Sequence, residues 1–154
     1  MFYIMDEYSK CEDIGRERFK SMFSKFYWYE FDSRKYGEYD VLATGKTFSE
    51  PTYVIEIKNY NYPRRSDKFA DYQLDWRKLY YLEKAAMERN SIPILIAFFT
   101  DKCVVWDISK IDWKSRERNV NCNDKGVSYG ETKSASKETW LYINEGKTIE
   151  YDKI

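Results

Sequence analysis

The chain has 154 residues, the length of one ordinary domain and too short for two with separate cores. Hydrophobic residues make up 43%, enough for a core, and 26 basic side chains balance 26 acidic ones to a formal net charge of zero. It contains no histidine, which excludes Ser-His-Asp and Cys-His nucleophiles, a histidine general base and His-ligated zinc.

The segment from about Asp6 to Lys25 carries Tyr8, Cys11, Phe19, Met22, Phe23 and Phe26 at spacings of three, four and seven, which predicts an amphipathic helix. The aromatic run Phe26–Phe31 then predicts a strand. Glu38–Thr44 and Thr52–Lys58 are rich in β-formers, and Gly45-Lys46 with Ser49-Glu50-Pro51 supply turn chemistry between them, so a hairpin is expected. Asn59–Arg65 reads as a loop. Ser66 or Asp67 could cap a long helix running to about Arg89, with Phe69, Tyr72, Trp76, Leu79, Tyr80 and Met87 as its core-facing stripe. Ile92–Thr100 is almost continuously apolar, as expected of a strand covered on both faces, and Cys103–Ile108 is its partner. Residues 114–137 are polar and read as a long loop bearing Arg116, Arg118, Lys125, Lys133 and Lys137. The last residues predict a closing hairpin about Asn144–Lys147. The economical arrangement is a mixed sheet with helices packed on it, in one domain covering 1–154, with a core of about 6–110 and an extension of 111–154.

Cys11, Cys103 and Cys122 form no C-x-x-C pair and read as free thiols in a reducing cytoplasm. No apolar run approaches the roughly 18 residues of a membrane span, so no membrane association is expected. The opening MFYIMDEYSK turns acidic early and lacks a basic stretch, so no signal peptide is expected either.

Chemistry concentrates in the expected hairpin. The spacing acidic–any–lysine is cheap in so charged a chain, and recurs at Asp112–Lys114, Glu131–Lys133 and Glu145–Lys147. Only Glu56-Ile57-Lys58 ends a strong β-forming run, TYVIEIK. Alternation along a strand points Val54, Glu56 and Lys58 one way and Tyr53, Ile55 and Ile57 the other. Charges on an otherwise buried strand must be paired, metal-bound or at the sheet's rim. Asp40, flanked by Tyr39 and Val41, is similarly placed on the preceding strand, and a hairpin can bring its carboxylate to that of Glu56. Two close carboxylates raise each other's pKa unless a cation intervenes. Mg²⁺ suits such a pair, and a site of this kind can polarise a phosphodiester and activate water, with Lys58 neutralising developing charge. The plain alternative is a salt-bridge cluster at a sheet edge.

GEYDVLA (Gly37–Ala43) followed by YVIEIKNY (Tyr53–Tyr60) resembles the D…(D/E)-x-K signature of the PD-(D/E)XK nuclease superfamily, in particular its Holliday-junction-resolvase-like branch and a related bacterial family. The resemblance spans roughly residues 12–110; Tyr39 stands where the named motif has proline. It implies a restriction-endonuclease-like α/β fold, with a mixed sheet flanked by helices in the order α-β-β-β-α-β-β and a C-terminal hairpin extension. It further implies an Mg²⁺- or Mn²⁺-dependent nuclease, most naturally a DNA endonuclease. Asp40 and Glu56 would be metal ligands, Lys58 the catalytic lysine, and Gln73 on the long helix a residue facing the site. A first-helix glutamate is also implied: Gly15-Arg16-Glu17-Arg18 favours Glu17 as a further ligand, while helical phase keeps Glu12 open. Tyr60, Tyr62, Arg64, Arg65 and Lys68 mix rings and cations suited to nucleic-acid contact, though a plain solvated loop has the same composition. A branched DNA substrate would require two sites and make a two-fold dimer natural. The alternative function is a catalytically inactive module of the same fold that binds nucleic acid or protein.

Overall fold

The computed structural model describes residues 2–34, 37–47, 49–59, 71–121 and 135–151. A long first helix, α1 (Phe2–Phe23), leads into three strands, β1 (Tyr27–Phe31), β2 (Val41–Gly45) and β3 (Thr52–Asn59), which pair antiparallel in turn. Next come β4 (Asp71–Asp75), α2 (Trp76–Glu88), β5 (Ile92–Phe98) and β6 (Lys102–Asp107), then β7 (Arg118–Asn121), β8 (Ala135–Tyr142) and β9 (Lys147–Glu150). The main sheet is mixed and six-stranded, in the order β1-β2-β3-β5-β6-β9, and a second sheet has the order β4-β8-β7. β3 and β5 run parallel, so the chain between them must cross over, and α2 lies in that crossover. Among the described residues no helix is long and apolar enough to cross a membrane.

Two apolar layers sandwich the main sheet, sorted by strand alternation. Val41, Ile55 and Ile96 pack with Phe19 and Met22 of α1. Val54, Leu95 and Ala97 pack on the other side with Leu79, Leu82 and Ala86 of α2, and with Tyr72 and Leu141 of the second sheet. β5 is buried throughout from Pro93 to Phe98, which explains its unbroken apolar sequence. On α1, buried Gly15, Phe19 and Met22 recur at helical spacing. A Cβ at Gly15 would meet Asn59 Cβ and Ile57 Cγ2 at 3.1 Å, so its absence lets α1 lie close to β3. Polar ties secure the contact: Arg18 Nη1 donates to Asn59 Oδ1 at 2.9 Å, and Asn59 Nδ2 to the Cys11 carbonyl at 3.0 Å.

Three expectations from sequence are corrected. The helix expected from Ser66 or Asp67 starts only at Trp76, because residues 71–75 form a strand. Within it Tyr72 and Leu74 are buried while Gln73 is exposed, a period of two that the spacing Tyr72–Trp76–Leu79 had disguised as helical. Asp75 caps the helix, its Oδ1 accepting from the Arg77 backbone N–H at 2.9 Å. Second, the ends of the expected 114–137 loop are strands, β7 and the start of β8, whose pairing with each other and of β8 with β4 is non-local. Third, β8 and β9 do not form a hairpin. They join different sheets across a short 3-10 turn, Ile143–Glu145. There Trp106 Nε1 donates to the Tyr142 carbonyl at 2.9 Å, and a Cβ at Gly146 would reach within 2.6 Å of Val104 Cγ1. The turn therefore seats on β6 and directs β9 along that strand.

Candidate active site on the β2–β3 strands

Asp40 immediately precedes β2, and the register Val41↔Ile55, continued by one residue, sets it opposite Glu56. Its backbone N–H donates to the Ile55 carbonyl at 2.8 Å, and its own carbonyl accepts from Asp32 N–H at 2.8 Å. Its Oδ2 accepts from the Ile57 N–H at 2.7 Å, and Arg16 Nη2 stands 3.8 Å from Oδ1. Asp40 is thus held by backbone on one side and faced by a guanidinium on the other.

Glu56 is only 8% exposed, on the α2 face of an interior strand. The plain alternative placed the cluster at a sheet edge, whereas β3 lies between β2 and β5. Lys58 Nζ lies 3.6 Å and Lys78 Nζ 3.7 Å from its Oε1, distances that give attraction without close hydrogen bonding. Burial, then the Asp40 charge, pushes the Glu56 carboxyl up to about 7; Lys58 and Lys78 pull the other way, and a hydrogen bond with Asp40 adds to the rise. The two ammonium groups therefore do not compensate for desolvation and like charge. A hard divalent cation held by the pair would relieve the same repulsion.

Sequence expectation and structure agree in bringing Asp40, Glu56 and Lys58 together. Glu17 is not brought to them: its side chain is 73% exposed and pairs with Lys20 at 3.3 Å, and Glu12 is exposed too. Among the described side chains of α1, Arg16 reaches Asp40; it also donates to the Asp32 carbonyl at 3.1 Å and lies over the Phe31 ring. Gln73 is corrected from a helix to β4, opposite Trp140, with its Nε2 3.5 Å from Asp71 Oδ1. The α2 residue that approaches Glu56 is Lys78, missed from sequence. Its spacing to buried Leu82 and Ala85, four and seven residues on, was the available signal that it flanks the core face. Tyr60, Tyr62, Arg64, Arg65 and Lys68 lie outside the described residues. Of the later cations, Arg116 pairs with Glu145 at 2.6 Å, Arg118 with Glu138 at 2.6 Å and Lys137 with Glu117 at 3.4 Å.

The donor set fits Mg²⁺ or Mn²⁺ in number and kind. Mg²⁺ takes hard oxygens, is commonly held by one or two protein carboxylates and keeps several waters. Asp40 and Glu56 supply two carboxylates, and among the described residues no group of three or more Cys, Asp or Glu is placed to hold an ion.

No protein-family model matches the chain, and no curated protein matches it. Among solved structures it is similar to Hjc, a Holliday junction resolvase from the archaeal hyperthermophile Archaeoglobus fulgidus. The match covers 84% of this chain and 96% of that chain, at 12% sequence identity and a TM-score of 0.46. A likeness at that level assigns neither fold family nor activity.

Proposed function

We propose that this chain is a nuclease of restriction-endonuclease-like fold that hydrolyses phosphodiester bonds with the help of Mg²⁺ or Mn²⁺, acting on DNA. One observation carries the proposal: a buried glutamate faces an aspartate in an interior part of the sheet, with two lysines beside it at 3.6 and 3.7 Å and its carboxyl pushed up by burial and by the aspartate. Burying two carboxylates against each other is unfavourable for stability alone. A divalent ion held by the two carboxylates would relieve that repulsion and would supply charge neutralisation at phosphorus and a more acidic water.

The remaining steps belong to the chain's own residues. Asp40 and Glu56 would hold the ion. The Ile57 N–H and the Arg16 guanidinium fix the direction of Asp40. Lys58, on the same strand face as Glu56, orients the attacking water and offsets charge that develops on the phosphoryl oxygens. Lys78 approaches from α2 and offers a second ammonium to a substrate phosphate.

The test uses supercoiled, linear and branched DNA incubated with the protein and Mg²⁺ or Mn²⁺. Cleavage is expected with metal and not with EDTA, and Lys58→Ala should abolish it while leaving the fold intact by circular dichroism. Undiminished cleavage by Lys58→Ala would overturn the role given to that lysine. A protein that binds no Mn²⁺ in calorimetric titration and cuts no nucleic acid would instead be a binding module.

A further inference from the structure

The outer face of α2 carries a row of rings that the candidate site does not use. Trp76 and Tyr80 stack with centroids 5.7 Å apart and planes 16° from parallel, and Tyr80 meets Tyr81 edge-on at 5.4 Å. Tyr80 and Tyr81 are each 44% exposed, although residues of their size contribute most to a core when buried. Cations are interleaved with these rings. Arg77 and Lys84 are exposed on the same outer face, and Lys137 of β8 brings Nζ to 5.0 Å from the Trp76 ring centre. Tyr81 follows Lys78 by three residues and so stands beside it on the helix surface. Lys78 in turn is the α2 residue 3.7 Å from Glu56. The row therefore begins next to the carboxylate pair and leads across α2 towards the second sheet.

We infer that this face is a stacking platform for a nucleic-acid strand with unpaired bases, and that it delivers such a strand to the Asp40–Glu56 pair. The delivery half rests on the nuclease proposal, whereas the binding half stands alone. Rings alternating with ammonium and guanidinium groups match a strand that presents base faces and phosphates in turn. Protein interfaces are also rich in tyrosine, tryptophan and arginine but depleted of lysine, whereas Lys78, Lys84 and Lys137 all stand among these rings. Arg77 is held by Asp75 at 2.9 Å and Lys137 by Glu117 at 3.4 Å, so phosphates must compete with local acids and binding falls with salt. Duplex DNA has its base faces already stacked on one another, which is why the platform selects unpaired strands.

The experiment measures fluorescence anisotropy of a labelled single-stranded oligonucleotide, and of its duplex, with the full chain in EDTA so that no cleavage intervenes. Tighter binding of the single strand is expected. The double variant Tyr80→Ser/Tyr81→Ser should weaken it about tenfold or more, Tyr80→Phe/Tyr81→Phe should preserve it, and duplex binding should change little in either. Equal single-strand affinity of the Ser variant and wild type overturns the inference, as does wild-type preference for duplex. Failure of the nuclease proposal has a different signature: tyrosine-dependent binding with no cleavage under any metal. With active protein, the delivery half predicts that the Ser variant loses cleavage of single-stranded or flapped DNA and keeps that of linear duplex. Equal loss on both substrates overturns it.

Discussion

Two glutamates in this molecule meet basic side chains in opposite ways. Glu145 receives Arg116 through two parallel hydrogen bonds, Nη1 to Oε1 at 2.6 Å and Nη2 to Oε2 at 2.7 Å, and its Oε1 also accepts from the Tyr142 N–H at 2.9 Å. The hydrogen bond from Arg116 holds its carboxyl below the usual range. Glu56 is more deeply buried, has its nearest cations beyond close hydrogen-bond range and an aspartate opposite, and its carboxyl is pushed up. The first arrangement is complete within the chain and clasps the turn between β8 and β9. The second leaves desolvation and like charge uncompensated within the chain, a repulsion that a cation from outside would relieve. Perturbed carboxyls of the second kind cluster at functional sites, and a bidentate pair of the first kind holds a turn in place.

The largest effect that separates the two falls on activity. Asp40→Asn keeps an acceptor for the Ile57 N–H and removes the charge, so cleavage should fall by about a hundredfold or more. A plasmid-nicking time course reads it, and Glu145→Ala should leave that rate unchanged wherever the protein is folded. On stability the order reverses. Glu145→Ala leaves Arg116 without its fork and should lower stability by about 1–3 kcal/mol, seen as a lower Tm. Asp40→Asn should not lower Tm, because it relieves repulsion.

The pH dependence sharpens the contrast. A carboxyl with a raised folded pKa binds more protons folded than unfolded, so its contribution falls as pH rises from the ordinary glutamate value of 4.5 to about 7. Metal-free protein should lose stability over that window in urea titrations, and Glu56→Gln should flatten the slope and gain stability at pH 8. Glu145, held below its ordinary value, contributes fully above 4.5 and loses that contribution as pH falls through its lower folded pKa. A Glu56→Gln profile that keeps the neutral-range slope would refute the assignment of that proton. The smallest expected effect is that of Lys78→Ala. Its ammonium is half exposed, so cleavage should drop a fewfold rather than collapse, with a rise in KM for DNA.

The hairpin was legible because its signals are local. TYVIEIK is rich in β-formers, turn residues separate it from EYDVLAT, and a charged residue on such a strand is conspicuous. β5 was legible for the same reason, since burial on both faces writes itself as an apolar run. The β4 strand was not, because Tyr72, Trp76 and Leu79 satisfy a helical spacing across a strand–helix boundary. β7 and β8 were missed because their sequences are polar and β8 is stabilised by pairing with residues more than sixty positions earlier. Arg16 and Lys78 were missed because an ion pair between elements leaves no trace in the sequence around either partner.

Sequence alone determined which chemistry was open. Without histidine, and with Asp40, Glu56 and Lys58 on adjacent β-forming runs, a carboxylate–lysine centre was the available kind, because strand alternation fixes faces within a few residues. Tertiary structure alone decided what surrounds it: an arginine in place of the expected helix carboxylate, a lysine in place of the expected glutamine, and the seating of β9 along β6. Those outcomes depend on how helices and turns pack across the sheet, where one missing Cβ, as at Gly15 or Gly146, sets which surfaces can meet.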